Sequence, residues 1–151
     1  MILSTLMLSD TGVSWNIEST PVKAAGFYGK TPPLHTVSFS LNNFVGRFYI
    51  LATLENTVKE ADDNNGWFPI ILDHVNSTSY IEFPLEKDKL KPSLGLYGYQ
   101  TTETFCQTFV GNFTFIKVQL QRDYLKNSAI QPISSSDQTS VGRISAAHIN
   151  F

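Results

Sequence analysis

The chain has a single cysteine, Cys106, in 151 residues, so no internal disulfide can hold it together. No histidine and acid stand near that cysteine in a nucleophile motif, and it reads as a small buried hydrophobe of a chain made in a reducing cytosol. Charge is sparse as well. Asp, Glu, Lys and Arg make up 16% of the residues, the net charge is -2, and the basic residues are scattered. A nucleic-acid binder needs a clustered basic stripe, so neither DNA nor RNA is an expected partner. Long apolar runs are missing too. Met1 to Leu8 is mildly apolar but short, with no basic residues ahead of it and no clean small-residue cleavage site behind, so neither a signal peptide nor a membrane span is expected. Runs of Ala, Leu, Glu and Lys at helical period are scarce, which argues against a helix bundle.

What the chain does have is aromatic and β-branched sequence, including eleven Phe and six Tyr, in a length that suits one domain with a core of its own. One phrase occurs twice, as Phe44-Val45-Gly46-Arg47-Phe48 and Phe109-Val110-Gly111-Asn112-Phe113. Each copy leads into a strand-like run, Tyr49 to Glu55 and Thr114 to Gln121, and these runs are the expected central strands of a sandwich. A glycine ahead of such a run lets the backbone bend or bulge where the strand enters a sheet. The faces after the two glycines do not match, so the repeat reads as a shared bulge and not as a duplication.

Alternation supplies the rest. From Leu34, His35, Val37, Phe39 and Leu41 fall on one face and Thr36, Ser38, Ser40 and Asn42 on the other, which predicts a half-buried strand. Asn42-Asn43 offers turn chemistry, so this strand and the one after it are expected to form a hairpin. Further strands are expected at Trp67 to Leu72, with Pro69 at a bulge or an edge, at Tyr80 to Pro84, from Gly95 to Tyr99, and at Thr101 to Val110. In the last run of all, Ile116, Val118 and Leu120 should point inward and Lys117, Gln119 and Gln121 outward. Short strands with no amphipathic helix between them define an all-β antiparallel β-sandwich or jelly roll.

Residues 1–33 show no sustained period and read as an irregular N-terminal arm with one or two short strands, residues 34–125 as the β-sandwich core, and residues 126–151 as a C-terminal extension. Polar tails such as Ser128 to Ser145 order only when something covers them, and neighbouring subunits are the expected cover.

Motifs for chemistry are weak throughout. His35, His74 and His148 lack metal-site spacing. The loop Asp62-Asp63-Asn64-Asn65-Gly66 has oxygens around a glycine, but the calcium-loop register puts Ala61 and Leu72 at ligand positions, so a solvated turn is expected. Glu82 and Glu103 could serve a glycosidase only if they faced each other across a cleft. Asn76-Ser77-Thr78 and Asn112-Phe113-Thr114 fit the glycosylation pattern by chance. No catalytic residue, metal ligand or cofactor is assigned. Tyr28, Trp67, Tyr97 and Tyr99 lie beside glycines, where a ring can stack on a sugar or a partner. With Leu3, Leu6 and Leu8 of the arm, and Ile144, Ile149 and Phe151 at the far end, they are the candidate interface residues.

The segments Phe44 to Glu55, Gly66 to Ile70, Tyr80 to Pro84 and Phe109 to Leu125 together resemble small virion structural proteins of tailed bacteriophages, particularly those of cyanobacterial phages. The resemblance spans Leu34 to Leu125 and rests on patterned strands, without an active-site motif. It implies a β-sandwich subunit of a neck, tail, baseplate or capsid surface, located in the virion. Such a subunit works by assembly with other virion proteins and copies of itself, without cofactor, nucleic acid, membrane or catalysis. The alternative is a carbohydrate-binding or adhesion module that stacks a glycan on Trp67, Tyr97 and Tyr99.

Overall fold

The computed structural model describes residues 4–8, 16–42, 44, 46–56, 66–83, 104–122 and 143–151. Gly95 to Tyr99, the loop at Asp62, Leu3, Tyr97, Tyr99, Glu103 and the polar stretch after Ser128 as far as residue 142 lie outside them.

Period-two patterning sets the body of the fold. Strand β4 (Leu34–Asn42) buries His35, Val37, Phe39 and Leu41 and turns Thr36, Ser38 and Ser40 outward, as its sequence predicts. Strand β9 (Phe115–Gln121) buries Ile116, Val118 and Leu120 in the same way. Around them stand, among the described residues, β1 (Ser4–Leu8), β2 (Asn16–Glu18), β3 (Val22–Lys23), β5 (Gly46–Thr53), β6 (Phe68–Pro69), β7 (Tyr80–Phe83), β8 (Thr104–Val110) and β10 (Arg143–Asn150), with one short helix, α1 (Ala25–Tyr28). They form two antiparallel sheets packed face to face. The first has four strands in the order β1-β10-β4-β8, and the second has the order β2-β9-β5-β6, with β3 also on β9 and β7 also on β5. The protein is an all-β sandwich, and β5 and β9 are the central strands of its second sheet.

Three expectations are corrected. The first is the hairpin: β4 and β5 do not pair, because β4 belongs to the first sheet and β5 to the second. The buried stripes of the two strands need each other across the core, and Phe39 stacks on Phe48 at 3.9 Å. Between the strands Phe44 is fully buried, and Gly46 takes φ 153, where an added Cβ would stand 2.8 Å from the Phe44 ring and 3.2 Å from the Cβ of Arg122. The second Phe-Val-Gly phrase does the same work, since it ends β8 in the first sheet and leads to β9 in the second. Both copies mark a change of sheet. Because β4 pairs antiparallel with β8 and β5 with β9, the two crossings lie at opposite ends of the sandwich.

The second correction concerns the arms. Strand β10 sits between β1 and β4 in the first sheet, so segments from both terminal regions are strands of the body. Residues 16–30 also cover it: β2 and β3 line the edge of β9, and α1 closes one end. At that end the N–H of Gly26 donates to the Phe113 carbonyl at 2.8 Å, and a Cβ on Gly26 would lie 2.3 Å from the Asn112 carbonyl oxygen. Only glycine permits that approach. The third correction is Cys106. It is exposed, because it shares the outward face of β8 with Thr104 and Thr108 while Phe105 and Phe109 take the inward one.

Two aromatic clusters fill the interior. Phe39, Phe48, Phe83 and Phe105 join the sheets, with Phe44 against Phe83 at 5.8 Å. Nearer α1, the ring of His35 stacks on Phe109 at 5.1 Å and lies 5.6 Å from Phe151.

Candidate functional site

The outer face of the second sheet is a lattice of aromatic and charged side chains that satisfy one another. Arg47 on β5 pairs with Glu82 on β7 at 3.4 Å, and its guanidinium lies 4.5 Å from the Tyr80 ring. The Tyr49 hydroxyl donates to Gln121 at 2.9 Å, across the β5–β9 pair. Lys117 faces outward as expected yet is only 5% exposed. Glu18 on β2 pairs with its ammonium, and the Trp67 ring lies over it at 4.4 Å. Cation–π and cross-strand contacts of this kind keep a polar face compact in water.

The first sheet is finished differently. Its outward positions carry Thr36, Ser38 and Ser40 on β4, Thr104, Cys106 and Thr108 on β8, and Ala146 and His148 on β10, while Arg143, which opens β10, is set opposite Asn42. Hydroxyl pairs bridge the strands, Thr36 with Thr108 at 3.2 Å and Ser40 with Thr104 at 3.5 Å.

The edges of the two sheets differ still more. In the second sheet the outer strands have two to four residues each and carry Glu18, Lys23, Pro69 or Glu82. In the first, β1 has five residues and a register shift between Leu6 and Leu8. Short strands, charges, proline and irregular register are the devices that stop an edge from recruiting another chain. Strand β8 has none of them: seven residues, Thr-Phe-Cys-Gln-Thr-Phe-Val, in unbroken register with β4 and without charge or proline. Among the described residues, β4 is its only strand partner.

Which backbone groups that edge offers follows from the ladder. The N–H of Gly111 donates to the Pro33 carbonyl at 3.1 Å, in line with the register that sets Leu34 opposite Val110. In an antiparallel pair, alternate residues turn both N–H and C=O to the same neighbour. Phe105, Gln107 and Phe109 therefore bond to β4, while Thr104, Cys106, Thr108 and Val110 turn theirs to the opposite side, where no strand stands among the described residues. The close hydroxyl pairs at Thr104 and Thr108 agree, because side chains approach most closely at positions that are not hydrogen-bonded.

The expected interface residues are scattered. Leu6 and Tyr28 are exposed, at 54% and 52%, and Trp67 is half-buried over Lys117. Leu8, Ile144, Ile149 and Phe151 are buried among the residues of this chain's own core, so they hold the fold together and are not a surface. Glu82 faces Arg47, and the three histidines do not meet. His35 is structural. It is fully buried, and its Nε2 accepts the N–H of Ala25 at 3.0 Å. Burial lowers its pKa from 6.5 to about 4, opposed by the main chain of Phe109 and Pro33 and assisted by the charge of Lys30. Nδ1 has no partner at hydrogen-bonding geometry, so those main-chain groups offset the shift only in part. Among the described residues, no group of three His, Cys, Asp or Glu side chains is placed to hold a metal, and no helix is long and apolar enough to cross a membrane.

Neither His35 nor the β8 edge is visible as a motif. The one sequence signal for the edge is a β-rich run without Lys, Glu or Pro from Thr104 to Val110. Fold and surfaces together define an antiparallel β-sandwich in which, among the described residues, the β8 edge lacks these guards. No family model, no curated protein and no solved structure matches the chain.

Proposed function

We propose that the chain is a structural subunit of a tailed-bacteriophage particle, working by assembly with copies of itself and with other virion proteins and not by catalysis. The observation that supports assembly is the β8 edge. A protein that stays alone in solution guards its edges, and among the described residues β8 is an edge strand without such guards. The resemblance of residues 34–125 to small virion proteins supplies the setting, a neck, tail, baseplate or capsid surface. Deletion after Leu125 does not test the idea, because it removes β10 from between β1 and β4. Mass spectrometry of density-purified particles from the source of the sequence does. The chain at a fixed ratio to the major capsid protein is the expected result, and its confinement to the soluble fraction would overturn the proposal.

A carbohydrate-binding module is the second reading, favoured by Trp67 lying on the outer face of the second sheet near Lys117. It is the weaker one, because the polar groups described on that face pair with each other. A glycan array probed with the protein and with Trp67→Ala tests it: binding that disappears on substitution supports the module, and a blank array rejects it.

A further inference from the structure

We propose that β8 pairs antiparallel with β8 of a second copy of this chain, in the register that sets Gln107 against its own counterpart. The inference rests on the assembly reading above and names the partner at that edge.

Three features of the strand point to a copy of itself. The first is backbone parity. With Thr104, Cys106, Thr108 and Val110 facing the open edge, an antiparallel neighbour must bring residues of the same parity, which excludes every register displaced by one residue. Among the registers left, the one centred on Gln107 sets Thr104 against Val110 and Cys106 against Thr108 of the copy. It uses the N–H and C=O of all four residues on both strands. A displacement by two residues in either direction leaves an end of each strand unpaired.

The second feature is side-chain complementarity under a two-fold axis. In this register Phe105 meets Phe109 of the copy and Gln107 meets Gln107, at positions that are not hydrogen-bonded, where cross-strand side chains are closest. Phe105 is only half-buried within one chain and Gln107 likewise, so the copy supplies cover that the single chain lacks. Phenylalanine rings on facing strands make favourable pairs, and two glutamine amides can exchange hydrogen bonds. The third is charge. A strand with net charge repels its own copy when paired antiparallel, and β8 carries none. The product is one continuous sheet that runs from β1 of one copy to β1 of the other, with the outward hydroxyl face unbroken across the junction.

The register has a chemical signature. Residues at a non-hydrogen-bonded antiparallel position have Cα atoms about 4.5 Å apart. That lies inside the range of about 4.4 to 6.8 Å that a disulfide spans. A thiol introduced by Gln107→Cys in a Cys106→Ser background sits on the two-fold axis opposite its own copy. In the same background a thiol introduced by Thr108→Cys faces the serine that replaces Cys106, and should not cross-link.

The experiment measures solution mass by light scattering and disulfide formation in air for these variants. Expected are a dimer of the unsubstituted chain, a rapid cross-link for Cys106→Ser/Gln107→Cys, and little or none for Cys106→Ser/Thr108→Cys. Cys106→Lys with Thr108→Lys sets cations against each other across the junction and should give a monomer with an unchanged circular dichroism spectrum. If that variant fails to fold, the cross-links still decide the question. A monomer at roughly 100 µM chain overturns the pairing, since an association that weak would leave the edge open at working concentrations. A cross-link through native Cys106 or through Thr108→Cys, in place of Gln107→Cys, overturns the register. Loss of self-pairing leaves the particle proposal to its own test by mass spectrometry.

Discussion

The two sheets meet water by different means. The second is laced with ion pairs and rings, Arg47 with Glu82 and Tyr80, Lys117 with Glu18 and Trp67, and its outer strands are short and carry charge or proline. The first presents hydroxyls, a thiol and an imidazole, and ends on a seven-residue uncharged strand. One surface is complete within the chain. The other ends, among the described residues, on a strand without the devices that keep an edge from recruiting another chain.

The largest effects should come where the sheets depend on each other. Phe39→Ala in the first sheet and Phe48→Ala in the second each remove one ring of the stack at 3.9 Å, and each should cost about 3 to 5 kcal/mol in urea unfolding. The double variant should cost less than the sum, because each single change already abolishes the shared contact. Additive losses would mean that the two sheets are stabilised independently across the core.

Next in size is a pH effect confined to the first sheet. The pKa of His35 is about 4 in the fold against 6.5 unperturbed, so the unfolded chain takes up the proton first. Its contribution to stability is complete above pH 6.5 and is lost as pH falls toward 4. The slope is at most about 1.4 kcal/mol per pH unit, roughly 3 kcal/mol over the window. Protonation also forces a hydrogen onto Nε2, against the N–H of Ala25. His35→Gln keeps an acceptor for that N–H and should flatten the difference in stability between pH 7 and pH 4.5. An unchanged slope in that variant would place the acid sensitivity elsewhere.

The smallest effect belongs to the second sheet. The Arg47–Glu82 pair is about a third exposed on each side, so Glu82→Gln should change stability by about 0.2 to 1 kcal/mol, and less in high salt. The same salt titration should leave dimerisation through β8 nearly unchanged, since that strand has no charge to screen. A steep salt dependence of the dimer would erase the contrast between the two surfaces.

Much of the sandwich is legible in local pattern. The buried stripe His35, Val37, Phe39, Leu41 and the stripe Ile116, Val118, Leu120 follow from alternation, because neighbouring side chains on a strand point to opposite faces whatever the partner. The burial expected of Cys106 rests on residue type, since a free cysteine is usually buried, and it fails here. Alternation names two faces for β8, and only the position of Phe105 and Phe109 against the core shows which of them is inside. Lys117 was placed on the correct face, but nothing local shows that Trp67 crosses β5 to cover it.

By itself, then, the sequence determined that this protein is built of strands, which side of the best-patterned ones is apolar, and that β5 and β9 lie at the centre of a sheet. Tertiary structure decided which strands share a sheet: it sent β4 and β5 to opposite layers, drew β1 and β10 into the body and left β8, among the described residues, with β4 as its one strand neighbour. The physical reason is range. Side-chain direction is set by the residue's own backbone, whereas pairing, burial of Ile144 and Ile149, and exposure of an edge depend on contacts between segments far apart in the chain, which no local period encodes.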